Sequence, residues 1–109
     1  MNKDLFRNWP VMNYESHIHG DKPVIIQFFA DWCPPRRLMT PIFHEVKARV
    51  GERVTILNVD VECEPELAKL YNIQTLPTIA IFHRGRLIWR KNGIATAHEM
   101  LEHIQMIID

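Results

Sequence analysis

The sequence predicts an α/β sandwich, a central mixed β-sheet flanked by α-helices, and three observations predict it. Val24 to Ala30 is almost wholly apolar and rich in β-branched and aromatic residues, the pattern of a strand covered on both faces. A helical stripe and a second strand follow, and a strand–helix–strand crossover implies a parallel pair. Later, two strand-like runs flank Arg84-Gly85, the composition of a tight antiparallel hairpin, so the sheet must be mixed.

The elements follow in order. The first 20 residues are the least regular; Val11 to Tyr14 suggests a short edge strand, blurred by Trp9, Pro10 and the polar stretch from Glu15 to Gly20. After the Val24–Ala30 strand, Asp31-Trp-Cys-Pro-Pro35 breaks the pattern. A helix then reads inward through Leu38, Ile42, Val46 and Val50, with Met39 and Phe43 widening the stripe. Pro34 and Pro35 suit its first turn, where a missing N–H costs nothing. Pro41 should kink it, and Gly51 suits its C-terminal cap. Val54 to Asp60 reads as the second strand. Glu64 to Tyr71 reads as a short helix with Pro65 in its first turn and Leu67, Leu70 and Tyr71 inward. Thr78 to His83 and Arg86 to Lys91 form the hairpin. Thr96-Ala-His-Glu99 is a capping box, opening a helix that carries Leu101, Ile104 and Ile108 on one face.

Composition bounds the function. A chain of 109 residues without repeats or low-complexity tracts suits one domain, residues 1–109. Thirteen basic residues balance 13 acidic ones, against the basic surplus of a nucleic-acid binder. The longest apolar run, Val24 to Ala30, falls far short of the roughly 20 residues a membrane span needs. Met1-Asn-Lys-Asp leads into no apolar leader, and two cysteines make no disulfide scaffold; the expectation is a cytoplasmic thiol protein or two incidental thiols.

Trp32-Cys33-Pro34-Pro35 sits where a buried strand meets a helix N-terminus. Unpaired backbone N–H groups and the positive end of the helix dipole there favour thiolate over thiol, and the thiolate is the nucleophile of disulfide exchange. The competing reading is a cysteine packed as a small hydrophobe.

The chain resembles the thioredoxin family over about residues 22 to 108. The resemblance rests on Phe28-Phe-Ala-Asp-Trp-Cys-Pro-Pro35, Pro41, Asn58-Val-Asp60, Leu76-Pro77-Thr78 and Gly93. It implies the thioredoxin fold, with Cys33, Pro77 and Gly93 brought to one edge and Pro77 in a cis-proline loop. It also implies protein disulfides or thiols as substrates. Cys33 would attack a disulfide and hold the product as a mixed disulfide. Leu76 and Pro77 would seat an extended substrate by backbone pairing, with Trp32, Pro34, Pro35 and Gly93 bordering the groove. No cofactor is implied.

Two departures bear on that chemistry. Where the resemblance implies a second, resolving cysteine, the chain has Arg36, so the motif reads Cys-Pro-Pro-Arg. Where it implies a buried carboxylate and a lysine partner, the chain has Gln27 and Ile56, and an amide is no general base near neutral pH. What remains is a lone thiol with Arg36 and Arg37 within reach on the first helical turn, both favouring its ionised form. The expectation is a monothiol protein that captures substrates and needs an outside thiol such as glutathione for release. The alternative is a non-catalytic peptide- or partner-binding module on the same fold; a third reading has the partner supply its own resolving cysteine.

Other residues read more plainly. Cys63, just past the second strand, is the one internal candidate to resolve Cys33, and otherwise a helix-start cysteine without a role. The six histidines form no array of zinc spacing, so no metal site is expected. Arg84, Arg86, Arg90 and Lys91 read as a solvated sheet edge, and Trp9 and Trp89 as packing residues.

Overall fold

A computed structural model describes Tyr14, residues 16–32 and residues 35–108, with Pro35 and Arg36 described by their backbone alone. Its strands are β1 (Val24–Phe29), β2 (Thr55–Asp60), β3 (Thr78–His83) and β4 (Arg86–Asn92). Its longer helices are α1 (Pro35–Val50), α2 (Pro65–Leu70) and α3 (Ala97–Ile108). The sheet order is β2-β1-β3-β4, with β1 parallel to β2 and the other neighbours antiparallel. The mixed α/β sheet is the expected one. Among the described residues no helix is long and apolar enough to cross a membrane.

Every residue of β1 is buried because both of its faces are covered. Ile25 points into a core built with Met39, Phe43 and Val46 of α1 and Met100 and Ile104 of α3. Val24, Ile26 and Phe28 point the other way, against Ile18, Leu67 of α2 and Phe82. Side chains alternate across a strand, so a strand between two helical layers must be apolar at consecutive positions. That is why Val24–Phe29 carries no polar–apolar alternation beyond the single amide of Gln27.

Two inward stripes differ from expectation. In α1 the buried series is Met39, Phe43, Val46 and Val50, whereas Leu38 is 59% exposed and Ile42 half-buried. A stripe of pure four-residue steps drifts about 40° per step around a helix of 3.6 residues per turn, so it spirals off the core; alternating four and three holds the line. In α2 only Leu67 turns inward, and Leu70 is 65% exposed. The helix ends at Leu70, and Tyr71, one turn beyond Leu67, packs its ring against Phe28 and Phe82 at centroid distances of 6.1 and 5.1 Å.

Other boundaries agree closely. β2 starts one residue later than expected, at Thr55, and β4 runs on to Asn92. α1 continues through Pro41, and Gly51 past its end has φ +58°. Arg84 and Gly85 both take positive φ, +53° and +81°, as a primed hairpin turn requires. In the capping box Thr96 Oγ1 accepts from the Glu99 N–H at 3.0 Å, and Glu99 Oε1 accepts from the Thr96 N–H at 3.2 Å. The edge strand expected over Val11–Tyr14 falls outside the described residues except at Tyr14, which is helical. Trp9 also lies outside them.

Candidate functional site

Strand register decides which loops meet. Phe28 pairs with Thr78 of β3, Phe29 with Asp60 of β2, and Thr78 with Asn92 of β4. The segments after β1, β2 and β4 and the one before β3 therefore emerge at one end of the sheet. Ala30 is buried there and Asp31 exposed, and Trp32 stands 68% exposed. Pro77 is buried and Leu76 half-buried, and the peptide bond between them is cis. The Gly93 N–H donates to the Pro77 carbonyl at 2.8 Å, and Gly93 has φ +126°, which a side chain would strain. Ile94 beside it is 41% exposed.

Trp32, Leu76, Pro77 and Gly93 thus share one end of the molecule. Cys33 and Pro34 lie outside the described residues, as do the side chains of Pro35 and Arg36. The backbone around them is in place: β1 ends at Phe29 and α1 starts at Pro35, so Cys33 falls in the short link from a buried strand to a helix N-terminus. Cys63 is exposed past the end of β2, and its N–H donates to the Asp60 carbonyl at 3.1 Å.

A second feature lies between α1 and β2. Gln27, Thr40, Phe43, His44, Lys47, Ile56 and Asn58 line a groove of about 310 Å³. Gln27 is only 4% exposed; its Nε2 donates to Asn58 Oδ1 at 3.1 Å, and its Oε1 has no partner among the described residues. Half-buried Ile56 brings no charge to it. The groove therefore holds a neutral amide where a proton-transferring carboxylate would titrate. At the outer side of β2, Tyr14 donates its hydroxyl to the Asn58 carbonyl at 3.1 Å. Burial first, and then nearby Glu64 and Cys63, push the Tyr14 pKa up, so the phenol stays a donor.

The hairpin's charges differ from a uniformly solvated edge. Lys91 reaches both Glu99 oxygens at 2.8 and 2.7 Å, and Arg90 directs its guanidinium at backbone carbonyls. Both are half-buried, whereas Arg84 and Arg86 are exposed. Sequence reasoning missed them because their partners lie outside any periodic pattern. Trp89 stacks on His103 at 5.2 Å, a packing role as expected. Among the described residues no group of three or more His, Cys, Asp or Glu could hold a metal ion.

The thioredoxin family model matches residues 8–106. A thioredoxin-like protein of Synechocystis sp. is 31% identical over 97 residues, covering 88% of this chain and 92% of that protein. Thioredoxin Y2, chloroplastic, of Arabidopsis thaliana is 38% identical over 87 residues, 80% of this chain; the chain spans 52% of that relative's length. The solved structure of chloroplastic thioredoxin z superposes with a TM-score of 0.76 at 28% identity, covering 88% of this chain and 87% of that one. Thioredoxin-2 of the malaria parasite superposes at 0.74 and 22% identity over 79% of this chain and 84% of its own, a likeness of fold alone.

Proposed function

From a chain that belongs to the thioredoxin family of thiol–disulfide oxidoreductases, we propose a monothiol exchange protein of redox homeostasis in which Cys33 captures protein disulfides. The observation that supports the reading is the shared sheet end: exposed Trp32, the Leu76–Pro77 loop and Gly93 lie at the end of the sheet where β1 finishes.

The chemistry balances without a second cysteine. The Cys33 thiolate attacks one sulfur of a substrate disulfide, forming a mixed disulfide, and the other substrate sulfur leaves as thiolate and takes up a proton. Glutathione thiolate then attacks Cys33 sulfur, releasing the second substrate thiol and leaving Cys33 glutathionylated. A second glutathione attacks the glutathione sulfur of that adduct, giving oxidised glutathione and restoring the Cys33 thiolate. Arg36 occupies the resolving position, and a basic residue three positions after Cys33, with α1 starting at Pro35, supports the reading of an ionised thiol. The uncharged Gln27 amide supports the same reading, since no internal resolving step needs its proton. The proposal places the protein in the cytoplasm, where glutathione keeps thiols reduced.

Insulin reduction with and without glutathione tests it. Turnover that requires glutathione and vanishes in Cys33→Ser supports the monothiol cycle. No turnover in either case, with partner binding intact in Cys33→Ser, supports instead a non-catalytic peptide-binding module.

A further inference from the structure

The chain from Tyr71 to Pro77 links α2 to β3 and delivers Leu76 and Pro77 to the site. Its course is irregular. Asn72 has φ +52°, Gln74 and Thr75 are exposed, and the Ile73 N–H donates back to the Ala68 carbonyl at 2.9 Å. One side chain from another strand grips its start. Arg90 of β4 donates from Nη1 to the Tyr71 carbonyl and from Nη2 to the Asn72 carbonyl at 2.9 Å. Its Nε donates to Asn92 Oδ1 at 2.9 Å, so all three guanidinium nitrogens are engaged. A planar guanidinium that donates to two successive carbonyls fixes their orientation as well as their position. At the loop's far end, the Gly93 N–H holds the Pro77 carbonyl. Arg90 and Gly93, three residues apart, thus tie both ends of the 71–77 loop to β4 and the turn after it.

We propose that Arg90 is a positioning residue for extended substrates: by clamping Tyr71 and Asn72 it sets where Leu76 presents its backbone. The inference rests on the proposed function, because the Leu76–Pro77 loop matters to capture only if Cys33 takes peptide disulfides. It carries a selectivity. A peptide that pairs along the loop depends on where the loop sits, whereas a small disulfide needs only an accessible thiolate.

The test measures single-turnover mixed-disulfide formation at Cys33 in a Cys63→Ser background, so that one thiol reports. Two probes are compared, insulin as the extended substrate and dithiodipyridine as the small one. Arg90→Ala should slow insulin capture about tenfold or more, the effect of losing charge-assisted hydrogen bonds that hold a binding surface. Its dithiodipyridine rate should stay at the wild-type value, and Arg90→Lys, which keeps the charge but not the two-pronged fork, should recover only part of the insulin rate. If Arg90→Ala loses its native near-ultraviolet circular dichroism, Arg90→Gln, which keeps a donor on a shorter stem, is read in its place. An unchanged insulin rate, or equal slowing with both probes, overturns the inference while leaving the thiol chemistry standing. Wild-type protein that captures neither probe overturns the parent reading, and this one with it.

Discussion

Glu99 does two jobs with one carboxylate. Its Oε1 accepts from the Thr96 backbone N–H at 3.2 Å, closing the capping box of α3, and both oxygens accept from Lys91 Nζ at 2.8 and 2.7 Å. The Lys91 hydrogen bonds above all, and then those from Thr96, hold its pKa below the ordinary carboxylate value. A carboxylate with a lowered folded pKa contributes stability above its unfolded pKa and loses it as pH falls through the folded value. Glu99→Gln should therefore be less stable than wild type at neutral pH, and the gap should close on acidification below the carboxylate range. Urea melts across that range check this; a gap that persists in acid would mean that packing, not charge, is at stake. Thr96→Ala removes the partner that accepts from the Glu99 N–H and should cost about 1 kcal/mol at neutral pH, with the part due to the Thr96 hydroxyl's bond to the Glu99 carboxylate fading in acid. The pair is about one-third exposed on both sides, 39% at Lys91 and 32% at Glu99, so its ion-pair share stays at the small end for surface bridges.

At the hairpin between β3 and β4 the local chemistry specifies the element. Gly85 has φ +81°, and a Cβ built there would also meet His19 Nδ1 at 2.5 Å. The two effects differ in what can relieve them. The His19 ring is the end of an exposed side chain and can swing away, whereas positive φ is fixed by the turn. Gly85→Ala should thus cost about 1–2 kcal/mol, and nearly the same in a His19→Ala background. A penalty that disappears with His19 would show steric conflict in command instead. The same contrast explains what could be read ahead of the structure. Arg84-Gly85 and Thr96–Glu99 state their geometry within four residues, so hairpin and capping box were legible. The faces of α1 and α2 were less so, because Leu38 and Leu70 are apolar residues left outside, and hydrophobicity alone does not say where a helix stops or how its stripe turns.

Across the whole molecule, the sheet separates two cores, and what sequence can foresee follows that division. The alternating split of β1, Ile25 to one core and Val24, Ile26 and Phe28 to the other, was legible as one long apolar run. The Leu76–Pro77 loop and Gly93 could be assigned by resemblance, and the strand register brings them together with Trp32. Arg90's grip on Tyr71 and Asn72 was not legible, since it joins positions 19 and 18 residues apart that no periodicity links. If the sheet insulates the two cores, mutations on opposite faces should add. Ile26→Val and Ile104→Val each remove one methyl from a fully buried site and should cost about 0.5–1.5 kcal/mol apiece. Their double variant should lie within about 0.5 kcal/mol of the sum, because the two side chains belong to separate hydrophobic clusters on opposite faces of the sheet. Tyr71→Leu and Phe82→Leu form the contrasting pair, with rings 5.1 Å apart on one face. Removing either ring also costs the other this contact, while Tyr71 keeps Phe28 when Phe82 is replaced, so the double variant should cost less than the sum by about 0.5–1.5 kcal/mol. Equilibrium denaturation of the wild type and the six variants decides it: coupling of similar size in both pairs would mean that strain crosses the sheet and the two cores act as one.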